Sequence, residues 1–150
     1  MTSDQAREQL AQIPGVTVEP GTSPVVVRVP AAQWQDVARF AKDTLGCTFF
    51  CFSTAIDWKA DGLELVAWVD NLEGTLSIEL RTKLGPGVTR CASLAPVYRG
   101  ANWMERETYD MFGVTFDGHP DLRRILLADD WEGHPLLKSY AVDTPHPPYR

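Results

Sequence analysis

Between Thr48 and Leu80 the chain holds three runs of strand length, Thr48 to Ile56, Leu63 to Val69 and Thr75 to Leu80, parted only by turn chemistry at Asp61-Gly62 and at Asn71 to Gly74. A crossover between parallel strands needs about a dozen residues, so connections this short force an antiparallel meander. In the last run Leu76, Ile78 and Leu80 alternate with Thr75, Ser77, Glu79 and Arg81, the period-two pattern of a sheet with one buried and one solvated face. Helices must cover the buried face. Trp34, Val37, Ala38, Ala41 and Leu45 form one helical stripe opposite Gln35, Asp36, Arg39 and Lys42, with Gly46 as the stop. A shorter helix is expected at the N-terminus, where Thr2 and Gln5 have capping-box spacing and Ala6, Leu10 and Ile13 recur before Pro14-Gly15. Val16 to Glu19 and Val25 to Val29 then read as a hairpin across Pro20-Gly21. The expected class is α+β, in two layers: a mostly antiparallel five-stranded sheet with helices on one face.

After the loop Leu84-Gly85-Pro86-Gly87, helical spacing returns from Ala101 to Phe112 with Gly113 as its stop, and this helix is expected to dock on the sheet through Met104, Met111 and neighbouring aromatics. Beyond it Gly and Pro interrupt the chain up to Pro145-His146-Pro147-Pro148, a stretch that favours an extended, polyproline-like tail. The division that follows is an α+β domain over residues 1–113, including the helix at 101–112, and an extended partner-binding tail over 114–150. From Trp103 onwards there are nine acidic and five basic side chains. A charged, Pro-interrupted segment of that kind is expected to order only against a partner, so truncation after Gly113 should leave a soluble, cooperatively melting domain.

Fourteen Lys and Arg against twenty Asp and Glu leave a net charge of −6, which repels a phosphate backbone and argues against nucleic acid as a partner. No stretch approaches the roughly 18 uninterrupted apolar residues of a spanning helix. The start, Met1 to Glu8, lacks the basic and apolar regions of a secretory signal, so the protein is expected to stay in the cytoplasm and to meet a membrane only through partners. Cys47, Cys51 and Cys91 are an odd number in such a chain; along a strand the first two would lie about 13 Å apart, too far for a disulfide. They read as small buried hydrophobes, and three thiols fall short of the four that an iron–sulfur cluster normally takes.

Two clusters could carry chemistry. Glu107 and Asp110 share a helix face with Trp103, and Arg106 with Asp110 has the spacing of an ion pair; the arrangement with Glu105 reads as a solvated or partner-facing surface in preference to an acid–base pair. His119, His134 and His146, with Asp117, Asp121, Asp129, Asp130 and Glu132, hold metal-ligand types without metal-ligand spacing. Each His precedes a Pro and is biased towards extended backbone. A nucleophile elbow, a phosphate loop and a dinucleotide fingerprint are absent from the sequence.

The segment Asn102-Trp103-Met104-Glu105-Arg106-Glu107-Thr108-Tyr109-Asp110-Met111-Phe112-Gly113-Val114, followed by Gly118-His119-Pro120-Asp121-Leu122-Arg123-Arg124-Ile125-Leu126 and Trp131-Glu132-Gly133-His134-Pro135-Leu136, closely resembles the signature of the 30 kDa (C) subunit family of respiratory complex I, the proton-pumping NADH:quinone oxidoreductase. The upstream order of elements also resembles that family's α+β domain. Near the end the family commonly has Pro-Leu-Arg-Lys-Asp, whereas this chain reads Pro135-Leu136-Leu137-Lys138-Ser139.

The resemblance implies a non-catalytic peripheral-arm protein that carries no metal or cofactor. FMN, iron–sulfur clusters and quinone would sit on its partners, which would be the D, B and I subunits of complex I in place of a second copy of this chain. It implies a position on the cytoplasmic face of the cell membrane. The implied interface candidates are Trp103, Glu105, Arg106, Glu107, Asp110, His119, Asp121, Arg123, Arg124, His134 and Lys138. The neighbouring Arg123 and Arg124 are expected either to bridge to a partner or to anchor the tail, because guanidinium forks grip carboxylates in a way Lys does not reproduce. Relatives of the family occur in membrane-bound hydrogenases and in ferredoxin- or F420H2-linked complexes, and the sequence leaves that alternative open. A stand-alone metal-dependent hydrolase built on His119, His134 and the acidic cluster is the remote alternative, testable by elemental analysis.

Overall fold

The computed structural model describes residues 1–21 and 23–143. The expected Pro-rich stretch at 145–148, with His146, lies outside the described residues. Helix α1 (Ser3–Ala11) begins at the expected capping box, with Thr2 and Gln5 exchanging side-chain and backbone hydrogen bonds, and buries Ala6 and Leu10. Strands β1 (Thr17–Val18) and β2 (Val25–Arg28) pair antiparallel. Helix α2 (Trp34–Asp43) then turns its stripe of Trp34, Val37, Ala38 and Ala41 inwards.

Strands β3 (Phe49–Asp57), β4 (Leu63–Asn71) and β5 (Leu76–Gly85) form the meander. The sheet order is β1-β2-β5-β4-β3, with one parallel pairing, between β2 and β5. The mostly antiparallel five-stranded sheet is therefore a mixed one, because the N-terminal hairpin docks against the last meander strand. That last strand also runs on past Leu80. Its alternation continues through Thr82 and Leu84, both buried, and the hydroxyl at Thr82 conceals the pattern from a reading based on apolar residues alone.

One hydrophobic core joins α1, α2 and the inner face of the sheet, with Val25, Val27, Leu65, Ala67, Val69, Ile78 and Leu80 among its fully shielded members. The outer face is less solvated than the alternation in β5 suggests. Glu64, which shares that face with Arg81 and Lys83 by register, is 1 % exposed and is held by Arg28 Nη1 at 3.2 Å and by the Trp58 indole N–H at 2.9 Å. The three cysteines are free: Cys47 and Cys91 are buried as expected, and Cys51, at the β3 bulge, donates its thiol hydrogen to Asp70 at 3.1 Å.

Two short strands escape the sequence pattern. β6 (Arg90–Ala92) and β7 (Thr115–Asp117) pair in parallel on either side of helix α3 (Ala101–Phe112), and Arg90 clasps Asp117 at 2.6 Å. Val114 and Phe116, which the sequence assigns to the tail, lie in the core. The body of the domain therefore extends beyond Gly113, because strands of three residues are too short for periodicity to reveal. Helix α3 enters the core through Ala101 and Phe112, with Met111 packed against the edge; Met104, expected as an anchor, is only half-buried and lies outside the core.

Candidate functional site

Helix α3 and the chain that returns over it share a dense set of buried polar contacts. The helix ends on Gly113 in the left-handed region, at φ +74°, with its N–H on the Tyr109 carbonyl. A Cβ there would come within 2.8 Å of the His134 ring, so the backbone turn and the close approach of the returning loop both require glycine.

Asp110 is the anchor. Its side chain is wholly buried, and Oδ2 accepts the backbone N–H groups of Ile125, Leu126 and Leu127 at 3.2, 2.9 and 3.0 Å. Oδ1 receives Arg124 Nη1 at 2.6 Å. The other terminal nitrogen of Arg124 is also engaged, since Nη2 donates to the carbonyls of Trp131 at 2.8 Å and Gly133 at 3.0 Å. His134 Nδ1 reaches the Asp110 carbonyl at 2.9 Å, and Leu136 N–H donates to the Met111 carbonyl at 3.0 Å. Burial alone would raise the Asp110 carboxyl, but the Leu127 N–H, the Arg124 guanidinium and the Leu126 and Ile125 N–H groups outweigh it and hold the group below the usual carboxylate range. Arg106, one turn earlier, donates through Nε and Nη2 to the carbonyls of Arg123 and Arg124 at 3.2 and 3.0 Å. The expected helix pair between Arg106 and Asp110 is therefore replaced: each takes its partners from the returning loop, a contact that helical spacing cannot foresee.

Glu105, 1 % exposed, ties the helix to the strand side. It accepts the Ser93 hydroxyl at 2.6 Å and the Leu94 N–H at 2.5 Å. His119, with a fully shielded side chain, accepts the Asp121 N–H on Nδ1 at 3.0 Å, which leaves Nε2–H to donate to the Asn102 carbonyl at 3.0 Å. Burial pushes the Glu105 carboxyl up to about 7, against the opposing pull of Ser93 and Leu94. A folded-state value raised above the ordinary 4.5 means that the stabilising contribution is complete below that value and is lost as pH rises through about 7. Glu105→Gln should remove this dependence. The Tm gap between variant and wild type is expected to widen in favour of the variant by on the order of 5 °C from pH 5 to pH 8. Parallel Tm curves across that range would refute the assignment.

Of the eleven expected interface residues, Glu105, Arg106, Asp110, His119, Arg124 and His134 are engaged inside the chain. Arg124 does what one branch of the expectation required and anchors the tail segment. Trp103, Glu107, Asp121, Arg123 and Lys138 stay at the surface. Trp103 is 61 % exposed with the Arg106 guanidinium over its ring at 5.2 Å, and Arg123 pairs with Asp121 at 2.9 Å, an exposed contact of little energetic weight. Lys138 is fixed by its backbone, whose N–H donates to Asp57 at 2.8 Å. His119 and His134 bind carbonyls eight residues apart on α3, about 12 Å along its axis, which separates them as metal ligands. Sequence reasoning misses Ser93 and Asp57, the receptors of Glu105 and Lys138, and only the Asp57 side-chain bond to the Lys59 N–H two residues on leaves a local signal.

A family model described as "Respiratory-chain NADH dehydrogenase, 30 Kd subunit" matches residues 27–146. The chain is 39% identical over 130 residues to the NADH-quinone oxidoreductase C subunit of Geobacter sulfurreducens, covering 84% of this chain and 80% of that one. It is 37% identical over 145 residues to the protein of the same name from Chlorobium phaeobacteroides, covering 93% and 86%. Among solved structures it superposes with a TM-score of 0.77 on a chain of an archaeal membrane-bound sulfane sulfur reductase, at 25% identity over 93% of this chain and 85% of that one. With the trypsin-resistant fragment (1-134) of Nqo5 it shares the fold, at a TM-score of 0.70 and 22% identity over 81% of this chain and all of the fragment.

Proposed function

The chain belongs to the respiratory-chain NADH dehydrogenase 30 kDa subunit family, and from that premise we propose that it is the C subunit of a NADH:quinone oxidoreductase, a scaffold in the arm that carries electrons from NADH to quinone while protons are moved across the membrane. The observation that carries this reading is the extent of the family match, which takes in most of the sheet, α3 and the returning loop together. The geometry supports a scaffolding role. The signature's buried polar groups lock the loop onto α3, and the aromatic and aliphatic side chains left outside, Trp103 at 61 %, Leu126 at 61 % and Leu136 at 55 % exposure, have the composition of interface anchors.

In this proposal no residue of the chain reacts with substrate and the chain holds no cofactor; FMN, clusters and quinone belong to its partners, the quinone-site D subunit and the cluster-bearing B and I subunits. In the same proposal attachment to the cytoplasmic face runs through those partners; no helix among the described residues is long and apolar enough to cross a membrane. A second reading, the equivalent component of a related membrane-bound respiratory complex, is favoured by the likeness to the sulfane sulfur reductase chain.

Purification of the tagged full-length chain from its native membrane should bring down the D, B and I subunits together with a flavin-binding protein that oxidises NADH. A set of partners lacking that flavoprotein would turn the assignment to the second reading, and a chain recovered alone would overturn both. The double variant Trp103→Ala, Leu126→Ser should lower the yield of complex several-fold on native gels while moving the Tm of the free chain by no more than about 2 °C. Unchanged yield would remove this face from the interface.

A further inference from the structure

A cavity of ≈ 10 Å³ lies between α3 and the sheet, with Trp34, Leu65 and Phe116 among its apolar walls and Ser53, Glu105 and Thr108, together with Thr54, as its polar lining. The volume is about that of one water position. The Ser53 hydroxyl on β3 is shielded from solvent and meets no hydrogen-bond partner among the described residues. Each Glu105 oxygen accepts one protein donor, from Ser93 and from Leu94, although a carboxylate offers about four lone-pair sites. Thr108 spends its hydroxyl hydrogen on the Met104 carbonyl at 2.9 Å and keeps its lone pairs. One donor and two acceptors thus face a space of one water, where a hydroxyl left unpaired would carry a desolvation penalty.

We propose that this cavity binds a single structural water, which accepts the Ser53 hydroxyl hydrogen and donates its own two hydrogens to the Glu105 carboxylate and the Thr108 hydroxyl. Three such bonds are the usual complement of a buried water. Donation to the carboxylate favours its charged form, so the water is part of what allows Glu105 to ionise at all in this setting. The titratable side chains facing Glu105 are His119, whose Nε2 lies 4.0 Å from Oε2, and Cys91 on β6, whose thiol is pushed up first by burial and further by the carboxylate.

A high-resolution crystal structure of the full-length chain should show one ordered peak about 2.8 Å from both Ser53 Oγ and a Glu105 oxygen. An empty cavity, or a Ser53 hydroxyl bonded to a protein group, would overturn the proposal. The solution test is Ser53→Ala, which removes the donor to the water without adding bulk. Followed by the side-chain carboxyl carbon resonance, the Glu105 midpoint should rise by about one pH unit in the variant. An unmoved midpoint in a folded variant would show that no water couples the two residues.

Discussion

Asp110→Ala should lower the Tm of the full-length chain by about 10 °C or more and should strip hydrogen-exchange protection from Ile125, Leu126 and Leu127. The substitution removes the acceptor for three backbone N–H groups and leaves the Arg124 guanidinium, 13 % exposed, without its carboxylate. Breaking a buried pair from one side typically costs about 3–5 kcal/mol, because the partner charge stays buried. Arg124→Ala should cost a similar amount, and the double variant little more than either alone, since both residues act as one anchor. The depressed Asp110 carboxyl also fixes a pH window: its contribution is present above the ordinary carboxylate range and is lost as pH falls through the folded-state value. A Tm within about 2 °C of wild type, with residues 125–127 still protected, would refute the anchor.

A chain ending at Gly113 should fail to melt cooperatively. Such a truncation removes Val114 and Phe116 from the core, deletes β7 and the Asp117 partner of Arg90, and leaves Arg106 and Asp110 without the partners they take from the returning loop. Losing a single large core side chain to a cavity costs about 2–5 kcal/mol, and here two go together with several buried polar contacts, against a total stability of roughly 5–15 kcal/mol. A chain ending at Asp143 retains all of these contacts and should melt cooperatively. Far- and near-ultraviolet circular dichroism on both truncations provides the check. A sharp, two-state transition in the shorter chain would vindicate the boundary at 113/114 that the sequence suggests.

The contrast between α2 and the returning loop shows what was legible and why. The α2 stripe and the strict alternation at Leu76, Ile78 and Leu80 report burial through a fixed period, and for these the sequence reading and the structure agree. The polar groups of α3 obey no such code. Glu105, Arg106 and Asp110 read as a solvated face because charged residues at helical spacing usually are one, whereas their partners, Ser93, the Leu94 N–H, the carbonyls of Arg123 and Arg124, and the N–H groups of 125–127, lie 11 to 18 residues away and are mostly main chain. Backbone donors and acceptors are the same in every residue, so no side-chain pattern marks them. The family resemblance carried by the residues around Trp103 and Asp110 was recognisable from sequence, but which of those residues face inward was not.

Anchoring through the main chain also separates two kinds of evolutionary constraint. Asp110 grips the amides of Ile125, Leu126 and Leu127 without reading their side chains, so this contact itself excludes only proline, while the half-buried Ile125 and Leu127 keep packing constraints of their own. At the exposed Leu126 a change of side chain therefore leaves the grip of the carboxylate beneath it intact. For protein engineering, position 126 is a natural place to graft a new recognition residue, since the amide grip beneath it does not depend on the side chain it carries.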